Sequence, residues 1–179
     1  MQEWNVVISV QEHGYRKALD LFADFGNVKR TDFFNVLLMR AEDLQYMLEV
    51  LTQKALYLPD SLSFLTRLIP VTHTFIFRSA EEFQSQAKDV VLQWVPELSG
   101  KNFHVRVYRR GLKGKISSPD VERYLDTLLR EALDTAGTPG TISFEDADAV
   151  IVIVTIGNWA GLSLITSEFR ERYPFVRVN

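Results

Sequence analysis

Residues 103–115 read FHVRVYRRGLKGK, and this stretch decides how the second half of the chain folds. Phe103, Val105 and Val107 alternate with His104, Arg106 and Tyr108, the period-two pattern of a half-buried strand. The strand then runs into Arg109, Arg110, Gly111, Leu112, Lys113, Gly114 and Lys115. Between Lys101 and Lys115 every charged side chain is basic. Ser117, Ser118, Pro119 and Asp120 follow as a helix start, with Ser118 expected as the N-cap and Pro119 at the first helical position. A basic loop with two glycines, delivered by a strand and closed by a helix N-terminus, has the ingredients of a phosphate-binding surface. The plainer alternative is a solvated basic face with glycines for turn chemistry.

Outward from this stretch, the elements fall on both sides. Towards the C-terminus, Val121, Tyr124, Leu125, Leu128, Leu129, Ala132, Leu133 and Ala136 mark one face of a helix that Gly137 ends. Residues 141–144 form a weak strand. Ala149–Ile156 is apolar except for Thr155, as in a central strand covered on both faces. Residues 157–160 turn, residues 161–166 return beside it, and residues 169–173 make one helical turn. Towards the N-terminus, Ser79 and Glu82 have capping-box spacing before Phe83, Ala87, Val90, Val91 and Trp94 on one helical face, which ends before Pro96.

The first 77 residues have a rhythm of their own. Residues 4–10 and 31–38 are strand-like. Residues 13–25 are helical, with Gly26 placed to cap their end, and Leu44, Met47, Leu48, Leu51 and Ala55 mark a helix over residues 41–55. Strand, helix, strand, helix with short connections predicts a ferredoxin-like split βαβ unit. Residues 62–68 fit either a short helix or a strand, and residues 71–77 are extended. One of these two stretches must supply the remaining strands. The expected boundary gives domains of 1–77 and 78–179 in an α+β chain.

Composition narrows the function classes. A formal charge of −3 argues against a protein that coats nucleic acid indiscriminately, so any RNA contact must come from a local patch. Without cysteine there is no disulfide, thiolate zinc site or cysteine nucleophile. MQEWNVVISV has neither the charged start nor the long apolar run of a signal peptide, and no run is long enough to span a bilayer. The expected location is the cytoplasm. No catalytic constellation is legible. His13, His73 and His104 lack metal-ligand spacing, and Glu145, Asp146 and Asp148 suit a loop before a buried strand. There is no nucleophile elbow and no dinucleotide fingerprint. In a phosphate loop of the GxxxxGK[ST] type the first glycine would fall at Arg109, and Ile116 follows Lys115. Gly111 to Gly114 matches the GXXG of a KH domain, but there the loop joins two helices, whereas here a strand leads in. Tyr108 is expected in the core. Trp159 is open between stacking on a base and packing in the hairpin.

Three segments together resemble a THUMP domain, the RNA-binding module of several tRNA-modifying enzymes: the capped helix from Ser79, FHVRVYRRG with SSPDVERYL, and DADAVIVIVTIGNWAGLS. The tail of residues 171–179, ending in RVN, is similar to the close of the standalone members that assist tRNA cytidine N4-acetylation, in which a ferredoxin-like domain precedes the THUMP unit. The resemblance covers residues 78–179 by motif and 1–77 by architecture. It implies a tRNA-binding protein that grips the acceptor stem and 3′ end. It further implies an adaptor in tRNA processing that has no catalytic residues or cofactor and works with a separate tRNA-modifying enzyme. The chain's mild acidity departs from the more basic acetylation adaptors. The family's basic positions map onto Arg106, Arg109, Arg110, Lys113 and Lys115, with Gly157, Gly161 and Ser163 as backbone contacts in the last hairpin. Gly111, Gly114, Ser117 and Ser118 complete the expected RNA-binding set. Two other classes stay open: an interaction scaffold whose first unit docks an enzyme, and a small-molecule enzyme with an anion site in the basic loop.

Overall fold

The computed structural model describes residues 3–178. Met1 and Gln2 of the leading segment and Asn179 of the RVN tail lie outside the described residues. Backbone contacts divide the chain into two compact units. One runs up to Val71 and takes in Arg170–Arg177, and the other comprises Thr72–Phe169 with Val178.

The first unit contains β1 (Val6–Val10), α1 (Tyr15–Phe22), β2 (Gly26–Arg30), β3 (Val36–Ala41), α2 (Leu44–Tyr57) and β4 (Leu65–Pro70). Its sheet has the order β2-β3-β1-β4, antiparallel throughout, which is the ferredoxin-like arrangement expected from the sequence. Strand β1 is central and wholly buried, as its run of β-branched residues demands. The expected second strand over residues 31–38 is corrected: Thr31 opens a turn, its Oγ1 donating to the Val36 carbonyl, and two strands flank it. Strand β2 escaped notice because it is a polar edge with no alternating apolar residues. Gly26, expected to cap a helix, opens that strand instead. Its φ is 154°, and a Cβ there would lie 2.0 Å from the Arg40 carbonyl oxygen. Helix α2 starts later than expected, because Asp43 caps it by accepting from the Tyr46 N–H.

The second unit contains β5 (His73–Ile76), α3 (Ala80–Leu92), β6 (Asn102–Arg110), α4 (Ser118–Thr135), β7 (Thr141–Ile142), β8 (Ala149–Ile156) and β9 (Trp159–Thr166), leading into α5 (Ser167–Arg172). Its sheet has the order β5-β9-β8-β6-β7. Strand β6 runs parallel to β7 and β8, and β9 runs antiparallel to β8 and β5. The ambiguity over the first unit's fourth strand is resolved here: residues 65–70 supply it, and residues 73–76 pair with β9 instead. One face of the sheet, carrying Phe103, Val105, Val107, Ile151 and Ile153, forms a core with α3 and α4. Strand β8 is buried along its whole length, as its unbroken apolar run predicts.

Strand β7 pairs with β6 only at Asn102 and Phe103. Beyond it, two carboxylates one helical turn apart on α4 take over the edge. Asp126 Oδ1 accepts from the Val105 N–H at 2.8 Å and Glu122 Oε1 from the Val107 N–H at 2.9 Å. No helix among the described residues is long and apolar enough to cross a membrane.

Candidate nucleic-acid interface

Strand β6 delivers its basic residues to the carboxyl end of a parallel pair, where open α/β sheets commonly present ligand sites. Alternation sends them to opposite sides. Arg106, Tyr108 and Arg110 lie on the face away from the helices, and Arg109 lies on the helix side, in register with Thr155 and Ala160. The Arg106 guanidinium sits 5.7 Å from the centre of the Tyr108 ring. Tyr108 is therefore half-buried on the outer face rather than in the core, a correction that follows from its parity with Arg106. Trp159 lies in register with Ile156, which pairs with Arg110, so the indole stands on the same outer face at the same end of the sheet. It too is half-buried.

The loop after β6 turns sharply. Gly111, Leu112 and Gly114 all have positive φ, at 86°, 55° and 81°, a region that glycine enters without a Cβ penalty. The Leu112 carbonyl accepts from the Lys115 and Ile116 N–H groups, at 3.0 and 3.1 Å. This turn buries Ile116 and leaves Lys113, Gly114 and Lys115 exposed. A Cβ at Gly114 would meet nothing within 4 Å, so the glycine serves the backbone conformation rather than a close contact. Arg109 Nη1 donates to the Gly111 carbonyl and holds the guanidinium beside the loop.

Helix α4 begins one residue earlier than expected. Ser117, not Ser118, is the N-cap: it is extended, and its Oγ accepts from the Asp120 N–H. Ser118 is therefore the first helical residue and Pro119 the second, where the missing N–H costs nothing. Helix α3 is capped as its sequence predicts, with Ser79 Oγ accepting from the Glu82 N–H at 3.0 Å. Its first turn faces the start of α4. Between them lies a cleft of about 750 Å³, to which Arg109, Lys115, Ser117 and Ser118 contribute beside Phe83 and Gln84. Two helix N-termini and two cations thus border one space, an arrangement that favours an anion. Asp120 also lines the cleft. The neighbouring Arg123 and the Ser117 hydroxyl hold its carboxyl below the usual range, so it stays ionised, and its charge is answered by Arg123.

The expected set thus separates into three places. Arg109, Gly114, Lys115, Ser117 and Ser118 border the cleft, with Gly111 and Lys113 on the same loop. Arg106 and Arg110 lie on the outer face. Gly157 turns the last hairpin with φ of 59°, and its N–H donates to the Arg110 carbonyl at 2.9 Å, which fixes that turn beside the end of β6. Gly161 and Ser163 sit inside the sheet: both are buried on β9, between β5 and β8 for Gly161 and beside β8 for Ser163. Sequence reasoning missed Phe83 and Gln84. The capping box at Ser79 marked a helix start, but only the tertiary fold shows which loop that start faces. Among the described residues no three His, Asp or Glu side chains gather in a way that could hold a metal ion. His104 is buried, with Nδ1 2.8 Å from the Ser143 carbonyl, and Asp148 accepts from the Asn102 N–H at 2.9 Å.

No protein-family model matches the chain, and no curated protein matches it in sequence. Solved structures do share the fold. PH1313 from Pyrococcus horikoshii Ot3 aligns with 92% of this chain and 55% of its own, at 11% identity and a TM-score of 0.60. TrmN from Thermus thermophilus aligns with 89% of this chain and 44% of its own, at 14% identity and a TM-score of 0.53. A 4-thiouridine synthetase, solved in complex with RNA and with bound ATP, aligns with 90% and 41% at 13% identity and a TM-score of 0.52. This chain spans about half the length of the solved chains it matches. At such identities the likeness is one of fold, and across both units the α+β architecture is the one these proteins carry.

Proposed function

We propose that this chain is a tRNA-binding protein whose second unit is THUMP-like and presents the acceptor stem and 3′ end of tRNA to a separate RNA-modifying enzyme. The observation that carries this reading is the basic rim at the carboxyl end of β6. Arg109 and Lys115 stand over the cleft between two helix N-termini, and Arg110 stands on the other side of the same strand end. A phosphate chain crossing that end meets cations on both sides, while Tyr108 and Trp159 offer rings to unpaired bases. Fold similarity to a synthetase solved with RNA supports the reading. Others among the similar chains are named as methyltransferases or methylases, and the non-catalytic role in this proposal comes from the resemblance to the standalone adaptors. The resemblance makes a cytidine acetyltransferase the first partner to try, in the cytoplasm. The interface is proposed without Gly161 and Ser163, whose places inside the sheet keep them from a ligand.

The test is fluorescence anisotropy with a labelled tRNA, intact and lacking its unpaired 3′ tail. Tail-dependent binding is expected. If Arg109, Arg110, Lys113 and Lys115 neutralise about four phosphates of a single-stranded end, log K falls against log salt with a slope of roughly −3. Changing all four to Gln should flatten that slope and weaken binding at least tenfold, with the melting temperature unchanged. Undiminished affinity in the folded variant would remove the interface from this loop.

A further inference from the structure

The first unit holds an apolar feature that RNA binding does not use. Helix α2 buries Met47, Leu48 and Leu51, yet its last turn and C-cap expose Leu56, Tyr57 and Leu58 at 69%, 75% and 60%. Three consecutive large apolar side chains in water at a helix end form a patch of the kind that marks interaction sites. Beside this patch, within the same unit, lies a cleft of about 430 Å³ whose walls include Ala55, Leu56, Leu62, Leu65, Pro174 and Phe175. Its lining is predominantly apolar, and its charged members are Arg172 and Arg177 alone. Glu49 answers Arg172, whereas Arg177 is exposed and makes no ion pair among the described residues. The Arg177 carbonyl accepts from Arg67 Nε at 3.1 Å, which ties the backbone at Arg177 to β4. An apolar hole with a cationic rim is complementary to an apolar group accompanied by negative charge.

We propose that this cleft is a docking site for a segment of a partner protein that carries a large apolar side chain flanked by carboxylates. The apolar group fills the space between α2 and residues 174–175, and a carboxylate beside it pairs with Arg177, the lining arginine that Glu49 does not answer. A bidentate arginine–carboxylate contact fixes the segment's orientation, and the exposed Leu56 to Leu58 turn supplies further contact along it. This goes beyond the proposed RNA interface and stands independently of it.

The experiment pans a random dodecapeptide library displayed on phage against the full chain, then measures the recovered peptides by anisotropy. Enrichment of peptides with a Leu, Phe or Met beside Asp or Glu is expected. Ala55→Phe, which fills the cleft from an accessible helix position, and Arg177→Glu should each weaken those peptides at least tenfold. Both variants should keep the melting temperature and tRNA affinity of the unaltered protein. Replacing the peptide acids with Lys should abolish binding. Failure to enrich any such peptide, or affinity unmoved by both variants, overturns the proposal. So does concentration-dependent self-association in sedimentation velocity that Ala55→Phe abolishes, which would assign the cleft to a second copy. Co-sedimentation with phosphatidylserine vesicles lost in Ala55→Phe would assign it to a lipid surface, and likewise overturns the proposal.

Discussion

Asp126 shows what a single buried carboxyl does in this fold. It is 4% exposed and accepts a hydrogen bond from the Val105 N–H. Burial pushes its pKa up to about 7, the Val105 bond works against that shift, and the charge of Glu122 adds to it. The sign follows from proton uptake. Between about pH 4 and pH 7 the folded chain holds a proton that the unfolded chain has released, so this group's contribution to stability is full below pH 4 and declines as pH rises to 7. Asp126→Asn keeps an acceptor for Val105 and carries no charge. It should raise the melting temperature at pH 8, change it little at pH 4.5, and flatten the profile between them. Thermal denaturation followed by circular dichroism reads this directly, and equal shifts at both pH values would show that the carboxyl is not protonated in the folded state. Nothing in the local sequence marks Asp126, which occupies an ordinary position in an amphipathic helix. Its burial comes from the absence of a strand beside β6 beyond Phe103.

At the scale of elements, the start of α4 separates two serines that the sequence leaves equivalent. Only Ser117 has the extended backbone that lets its hydroxyl reach the third N–H of the helix. Ser117→Ala should therefore cost about 1 kcal/mol, measured by urea denaturation, and Ser118→Ala should stay within a few tenths. Equal losses would return the cap to the later residue. The same loop shows what periodicity could and could not find. Apolar alternation located β6 and the unbroken run located β8, because both bury side chains in regular patterns. Strand β2 has no such pattern, since as a polar edge strand it depends on backbone pairing with β3. The basic loop was legible as a candidate site from its charge and glycines. The partition of Arg109 and Arg110 to opposite sides shows only once β6 runs on to Arg110, two residues beyond the alternation that marks the strand. What stayed hidden was α3's share in the cleft, because no local signal records that the turn at Phe83 and Gln84 lies across from Ser117.

For the whole molecule, the order of residues along the chain differs from the order of the units. The first unit is not finished at Val71: Arg170–Arg177 returns to it after Phe169, and Val178 belongs to the second unit again. That return is well anchored. The Tyr173 hydroxyl donates to Glu49 Oε1 at 2.7 Å, Arg172 pairs with the same carboxylate, and Arg67 reaches the Arg177 carbonyl. The partners explain the titration of these groups, for Tyr173 and Arg172 together hold the Glu49 carboxyl below its usual range. Tyr173, Phe175 and Val176 are buried at 4%, 8% and 3%. Sequence reading places the boundary before the capping box at Ser79 and assigns the tail to the second domain, since a returning segment of eight residues carries no periodicity long enough to name its destination. A fragment of residues 1–71 should therefore be less stable than one in which residues 170–177 are joined to it through a flexible Gly/Ser linker. Burying the two aromatic side chains alone is worth about 3 kcal/mol or more. Urea denaturation of the two fragments measures the difference, and Tyr173→Ala in the linked fragment should remove much of the gain. Equal stability of the two fragments would mean that the returning segment rests on the first unit without holding it together.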